Sequence, residues 1–320
     1  MRLAVLLASA AWVLMLAGCR SNGPVTPTNL GPPVPWVQTN GQFDVYTLAI
    51  IGKNLFAGTE AGVFLSTDDG ANWTPMNLGL TKTYVKSLCV SGMNLFAGTN
   101  GGGVFLSTNN GTSWSAVSTG LTNMIVVSLA VSGNNLFAGT YGGAFLSTNN
   151  GTSWSAVNSG LTISGGPFTR SVRCFAVSDT NLFAGTNDGL FLSTNDGTIW
   201  RQVNTGWAIT EVRSLAVSRT NIFAGTDGAG VFISTNNGTS WKAASVGLIN
   251  PEVFALAVSG TNLFAGVYGD GVFLSTNNGT AWSALNTGLA SGYVWSLAST
   301  STYLFAGTVG TGRGVWRRPL

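Results

Sequence analysis

The stretch Asn135-Leu136-Phe137-Ala138-Gly139-Thr140-Tyr141-Gly142-Gly143-Ala144-Phe145-Leu146-Ser147-Thr148-Asn149-Asn150-Gly151-Thr152-Ser153-Trp154 decides the fold. It holds two short apolar runs parted by glycines, then a polar Asn-Asn-Gly turn, then a Trp. Its first half, Leu-Phe-Ala-Gly, returns with Phe at 56, 96, 137, 183, 264 and 305, and Ile222-Phe223-Ala224-Gly225 is a seventh copy. The steps between copies are 40, 41, 46, 40, 41 and 41 residues. Its second half returns as well, with Trp at 73, 114, 154, 200, 241 and 282. A fixed period of this length marks a repeat architecture.

Working outward from the stretch, each period reads as four short strands. In the third copy these are A (Ser128–Ser132), B (Asn135–Thr140), C (Gly143–Ser147) and D (Trp154–Asn158). Gly, Asn and Thr clusters separate them, and no helical period appears. Four strands in about 40 residues make one blade of a propeller. The near-continuous apolar character fits sheets covered on both faces. Seven A–B–C units are followed by only six Trp strands. The missing D strand stands at the front, where Trp36-Val37-Gln38-Thr39-Asn40-Gly41 resembles Trp282-Ser283-Ala284-Leu285-Asn286-Thr287. The expected fold is therefore all-β: a seven-bladed β-propeller of four-stranded antiparallel blades. Its N-terminal strand closes the last blade and removes an open edge.

Ser66-Thr67-Asp68-Asp69-Gly70-Ala71-Asn72-Trp73 matches the pattern Ser-x-Asp-x-Gly-x-x-Trp, with Ser66, Asp68, Gly70 and Trp73 at its fixed positions. Five further copies carry Asn109, Asn149, Asn195, Asn236 and Asn277 in place of the Asp. On these residues the chain resembles the Asp-box (BNR-like) propeller superfamily. That superfamily includes sialidases, xyloglucan-degrading glycosidases, sortilin-type receptors and photosystem II assembly factors. The box is expected to be structural: its side chain ties the C–D turn and its Trp wedges between sheets. Asn-Gly-Thr sequons such as Asn110-Gly111-Thr112 read as parts of the same turn.

The N-terminus is a processing signal. Arg2 precedes an apolar run from Leu3 to Leu16, and Leu16-Ala17-Gly18-Cys19 resembles the lipobox of bacterial lipoproteins. The expected organisation is a signal peptide (1–18), a lipidated Cys19 with a Pro-rich tether (19–35), and the propeller (36–320). The address is the extracytoplasmic cell envelope, at the outer membrane or cell surface in a host with two membranes. Cys89 and Cys174 are read as buried free thiols on non-neighbouring blades.

Charged residues are only 8 % of the chain, against about 25 % in an ordinary domain. The solvent face must be Ser, Thr, Asn and Gly. A net charge of +3 with no basic run argues against nucleic acid. With no His at all, the commonest general base and metal ligand is missing. Neither cofactor nor metal is expected, and the chain is read as a monomer.

Function is sought on the face shared by D–A and B–C loops, where repeats differ. The B–C loops offer Glu60, Tyr141, Asp188, Asp227, Tyr268, Asp270 and Arg313, and the D–A loops offer Tyr84, Trp207, Glu211, Glu252 and Tyr293. Six extra residues around Ile163–Arg170 read as a flap over the central opening or a tolerated insertion. One register varies beside a constant Val: Tyr46, Lys86, Val127, Arg173, Arg213, Phe254 and Trp295. These should ring the channel mouth. Six of them are candidate ligand-binding residues for an anionic or sugar ligand: Tyr46, Lys86, Arg173, Arg213, Phe254 and Trp295. The other reading is that their long side chains fill space between diverging blades.

The expected role is a binding or assembly scaffold for a protein or glycan, attached to the membrane by its lipid. The alternative is a sialidase-like glycoside hydrolase on the loop face. It needs two converging carboxylates, but the eight Asp and three Glu give no such pair from sequence. The Arg170, Arg173, Arg213 set lacks an equivalent third blade, and the Phe/Tyr-Arg-Ile-Pro segment of sialidases is absent. Sialidase propellers also have six blades.

Overall fold

Seven four-stranded antiparallel sheets follow one another around a central axis. The structure, a computed structural model, describes residues 34–162, 171–204, 207 and 210–320. The lipobox Cys19, the signal and most of the tether lie outside the described residues, as does the insertion at 163–170. Among the described residues no helix is long and apolar enough to cross a membrane.

Blade 3 represents the others. Strand A is Val126–Ser132, B is Asn135–Thr140, C is Gly143–Ser147 and D is Ser155–Ala156. The outer strand is shorter than its sequence suggests because a side chain takes over its ladder. Val157 N still donates to Ala144 O at 2.9 Å, but the next rung is Ala144 N to the Asn158 amide oxygen at 2.8 Å. Strand A begins two residues earlier than expected, and the register shifts between Val126 and Ser128. Val127 is thus a β-bulge. The same shift recurs at the start of strand A in every blade.

The glycine of Leu-Phe-Ala-Gly is dictated by the neighbouring blade. A Cβ on Gly98 would stand 2.7 Å from Val126 Cγ1, and one on Gly307 would stand 2.5 Å from Val45 Cγ1. The constant Val of each strand A therefore packs where the preceding blade has no side chain. The Phe before it is the anchor of the core: Phe56, Phe96, Phe137, Phe183, Phe223 and Phe305 are fully buried. The apolar clusters span two adjacent blades, as where Phe56 of the first meets Leu88, Phe105 and Trp114 of the second.

The C–D turns are closed by the Ser and Asx of each box. In blade 2, Ser107 Oγ donates to Asn109 Oδ1 at 2.9 Å and accepts from Gly111 N at 2.8 Å, while Ser113 N donates to Asn109 Oδ1 at 3.0 Å. In blade 1 the carboxylate of Asp68 accepts from Ser66, from Asn72 N and from the Asn72 amide. These donors hold its carboxyl down at about 2. The next residue sits at positive φ, 54° at Asn110 and 56° at Asp69, a conformation Asn and Asp tolerate.

The box Trp staples its blade to the preceding one. Trp114 Nε1 donates to Met76 O at 2.8 Å, Trp154 to Val117 O at 2.7 Å, Trp200 to Val157 O at 2.8 Å and Trp282 to Ala244 O at 2.7 Å. Trp73 follows the last blade around the ring and donates to Thr39 Oγ1 at 3.1 Å. Trp241 is the exception: among the described residues its Nε1 has no acceptor, and its ring stacks on Trp207 with centroids 5.5 Å apart.

The last blade is composite, as the sequence predicts. Strands Val294–Ser299, Tyr303–Thr308 and Gly314–Pro319 come from the end of the chain. Val37–Gln38 is added as the outer strand, with Val37 opposite Arg317 and Gln38 opposite Trp316. Trp36 is 3 % exposed and its indole N–H donates to Leu285 O, so the clasp also reaches blade 6.

Cys89 is buried and Cys174 half-buried; both are free. The expectation of two buried thiols therefore holds for one. Cys89 occupies a register that is Ala in the other blades, and burial pushes its thiol up to about 12. Cys174 stands where other blades carry Ser, Thr or Ala, on the channel wall.

Candidate functional site

The bulge explains why one register varies while its flanks do not. A bulged residue is left out of the ladder and its side chain is re-aimed. All seven bulged residues, Tyr46, Lys86, Val127, Arg173, Arg213, Phe254 and Trp295, line a central cavity of about 170 Å³. Loops from both sets meet around them. Tyr84 O accepts from Asn100 N, Glu211 O from Asp227 N, Glu252 O from Tyr268 N and Tyr293 O from Val309 N, at 2.9 to 3.1 Å. In these four blades the D–A loop is thus tied to the B–C loop on one face.

Aromatic rings form one connected arc across four blades. Centroids run from Tyr293 to Tyr268 (4.9 Å), to Phe254 (5.2 Å), to Trp295 (5.1 Å), to Tyr46 (5.6 Å) and to Tyr84 (5.0 Å). Two of the protein's own cations stand against it, one at the Tyr84 end and one over Phe254. Lys86 Nζ lies 4.2 Å from the Tyr46 centroid and 4.0 Å from that of Tyr84, and donates to Tyr84 Oη. Arg213 lies over Phe254 at 4.4 Å. Contacts of this kind are worth about 0.5–2 kcal/mol each.

The two arginines of the expected funnel are neutralised by carboxylates that sequence reasoning did not pair with them. Arg213 Nη2 meets Asp227 Oδ2 at 2.6 Å and its Nη1 meets Glu211 Oε1 at 3.4 Å. Arg173 Nε reaches the same Glu211 oxygen at 3.0 Å and donates to Asn187 Oδ1. That oxygen is within ion-pair range of both arginines but off the line of a good hydrogen bond. Tyr46 Oη donates to Glu60 Oε1 at 2.7 Å. Burial first, then the neighbouring Tyr84 and Glu60, push the Tyr46 phenol above its ordinary range, so it stays a donor. Lys86, Arg173 and Arg213 thus stand among Glu60, Glu211 and Asp227, three charges of each sign.

A sequence signal for these partners exists. Tyr84, Glu211, Glu252 and Tyr293 each stand two positions before a bulged residue, and alternate residues of a strand share a face. Other loop residues lie elsewhere. Arg313 pairs with Asp44 at 3.8 Å. Trp207 packs on Phe232 and Trp241 between blades, away from the mouth. Asp270 takes part through its backbone carbonyl, which accepts from Asn286. Arg170 lies outside the described residues.

Below the mouth the wall carries Thr47, Ser87, Ser128, Cys174 and Ser214, one per blade. These bridge adjacent blades. Thr47 Oγ1 accepts from Leu88 N at 3.2 Å and Ser87 Oγ from Leu129 N at 3.0 Å. Ser128 Oγ donates to Val172 O at 2.8 Å and Ser214 Oγ to Val253 O at 3.3 Å.

A family model described as the DUF6242 beta propeller domain matches residues 39–164. No curated protein matches the chain. Among solved structures, an extracellular domain of BT4673 from B. thetaiotaomicron superposes with a TM-score of 0.70 at 17 % identity, covering 89 % of this chain and 40 % of that one. YCF48 bound to D1 peptide gives 0.67 at 15 % identity, covering 92 % and 99 %. The GH74 xyloglucanase from Xanthomonas campestris gives 0.67 at 15 % identity, covering 89 % and 53 %. The chain thus spans about two fifths of the BT4673 extracellular domain. At such identities the likeness is one of fold.

Proposed function

We propose that this chain is a membrane-anchored, extracytoplasmic binding scaffold that holds a protein or glycan ligand on the loop face, over the channel mouth. One observation carries the reading. Seven bulged positions, freed from strand pairing, converge on a single opening, and six of them bear aromatic or charged side chains. The opposite face repeats one turn. Variation gathered where the scaffold tolerates it is the pattern of a recognition surface. YCF48, a propeller of similar extent, is bound to a peptide, and the BT4673 relative is an extracellular domain. Both lend support by analogy. Cys19 supplies the anchor, and the segment after it the tether.

A photo-crosslinking residue tests the face. Placed at the exposed Tyr293 of the full-length protein in its host envelope, it should form a discrete adduct. Placed at Ser113 in a C–D turn, it should not. Adducts from Ser113 alone, or from neither position, would overturn the proposal.

A further inference from the structure

The chemistry of the mouth selects among ligands, and the selection rests on the binding role proposed above. An anion would have to displace Glu211 and Asp227 from arginines they already neutralise, or draw Lys86 away from the two rings and the Tyr84 hydroxyl it sits against. A cation would have to compete with Lys86 and Arg213 for the aromatic faces they cover. What the site keeps available is uncharged. Trp295 lines the opening, and below it stand hydroxyls of two kinds. Thr47 and Ser87 accept a backbone N–H and retain a hydrogen to give; Ser128 and Ser214 donate theirs and retain lone pairs. Lone pairs alone would suit a cation, and donors alone an anion. A wall that offers both suits a group that also does both, which is the chemistry of a sugar hydroxyl.

The volume bears on how such a ligand enters. About 170 Å³ is less than the roughly 300 Å³ at which pockets for drug-sized ligands begin. One ring fits; a chain lying lengthwise does not. From these observations we infer that the channel mouth takes the uncharged terminal sugar of a glycan, end on, with its ring against Trp295 and its hydroxyls directed to the Thr47, Ser87, Ser128 and Ser214 wall.

The test uses the full-length protein in a polyoxyethylene detergent that carries no sugar. Cellotetraose, chitotetraose and tetragalacturonate are titrated while tryptophan fluorescence is followed, and a peptide array is probed in parallel. At least one neutral oligosaccharide should bind. Its dissociation constant should change by less than about twofold between about 0.05 and 0.5 M salt, since no net charge is exchanged. Trp295→Ala should weaken it by roughly tenfold or more, in line with the loss of a stacking face, and Trp295→Phe should restore most of the affinity. Thermal melting of both variants checks that they fold. Salt-sensitive binding of tetragalacturonate alone would overturn the inference. So would neutral-sugar binding indifferent to Trp295→Ala, which moves the site elsewhere. Peptide binding lost in Trp295→Ala, without sugar binding, would overturn it and leave the proposed scaffold role standing. Silence on both arrays would count against both.

Discussion

At the scale of single residues, the C–D turns run the same hydrogen-bond scheme with either an amide or a carboxylate. Asp68 is the acid in this set, where blades 2 to 6 carry Asn. Its carboxyl is held near 2, below its ordinary 3.8, first by the Asn72 backbone N–H and then by side-chain donors. A depressed carboxyl adds stability above its unfolded value and loses it as pH falls through the folded one. The difference in melting temperature between the wild type and Asp68→Asn should therefore be steady at neutral pH and shift against the wild type between about pH 4 and 2. A pH-independent difference would show that Asp68 does no more than Asn. The equivalence of Asp and Asn was legible in the sequence, because five copies already carry the replacement. The pairing of Arg213 with Asp227 left a trace, because partners 14 positions apart recur in Tyr46–Glu60 and Arg173–Asn187. The Arg173–Glu211 pair left none: it joins two blades, and no spacing records how far adjacent blades splay.

At the scale of the element, the inter-blade staple is the recurring device. Trp154 spends its indole N–H on Val117 O, whereas Trp241 stacks on Trp207 and has no acceptor among the described residues. Trp154→Phe should therefore cost about 1 kcal/mol more than Trp241→Phe, the net worth of one hydrogen bond. Urea unfolding of the two variants measures it, and equal losses would mean the staple contributes nothing beyond packing. Strands B and C could be read to the residue because their apolar runs and flanking glycines mark both ends. Strand D could not: in blade 3 the amide of Asn158 replaces a backbone rung, and a polar residue after an apolar one looks the same in sequence whether it pairs or caps. The bulge was visible only as an unexplained variable position between a constant Val and a small residue.

At the scale of the whole molecule, closure rests on a short strand. Val37 and Gln38 supply two paired positions, and Trp36 supplies the buried surface. Trp36→Ala should cost about 3–5 kcal/mol, the usual loss for emptying a large aromatic site. Val37→Ala, at an exposed position, should cost little. Chemical denaturation distinguishes the two, and a small loss at Trp36 would mean the ring is held shut by other contacts. Counting repeats was enough to foresee this join, since seven A–B–C units and six Trp strands leave one blade short.

The composite blade also sets an order of events. Val37 meets Arg317 across 280 positions of chain, while every other pairing between strands joins neighbours in sequence. Local hairpins can form as soon as their residues exist, but Val37–Gln38 must wait for Gly314–Pro319 to arrive. Contacts of such separation are slow to find. Ring closure should thus be the late step of folding, and until then the chain is an open arc with two unpaired edges. The same distance guards the finished ring: neither Val37–Gln38 nor Gly314–Pro319 can fray far without undoing a contact made by the other.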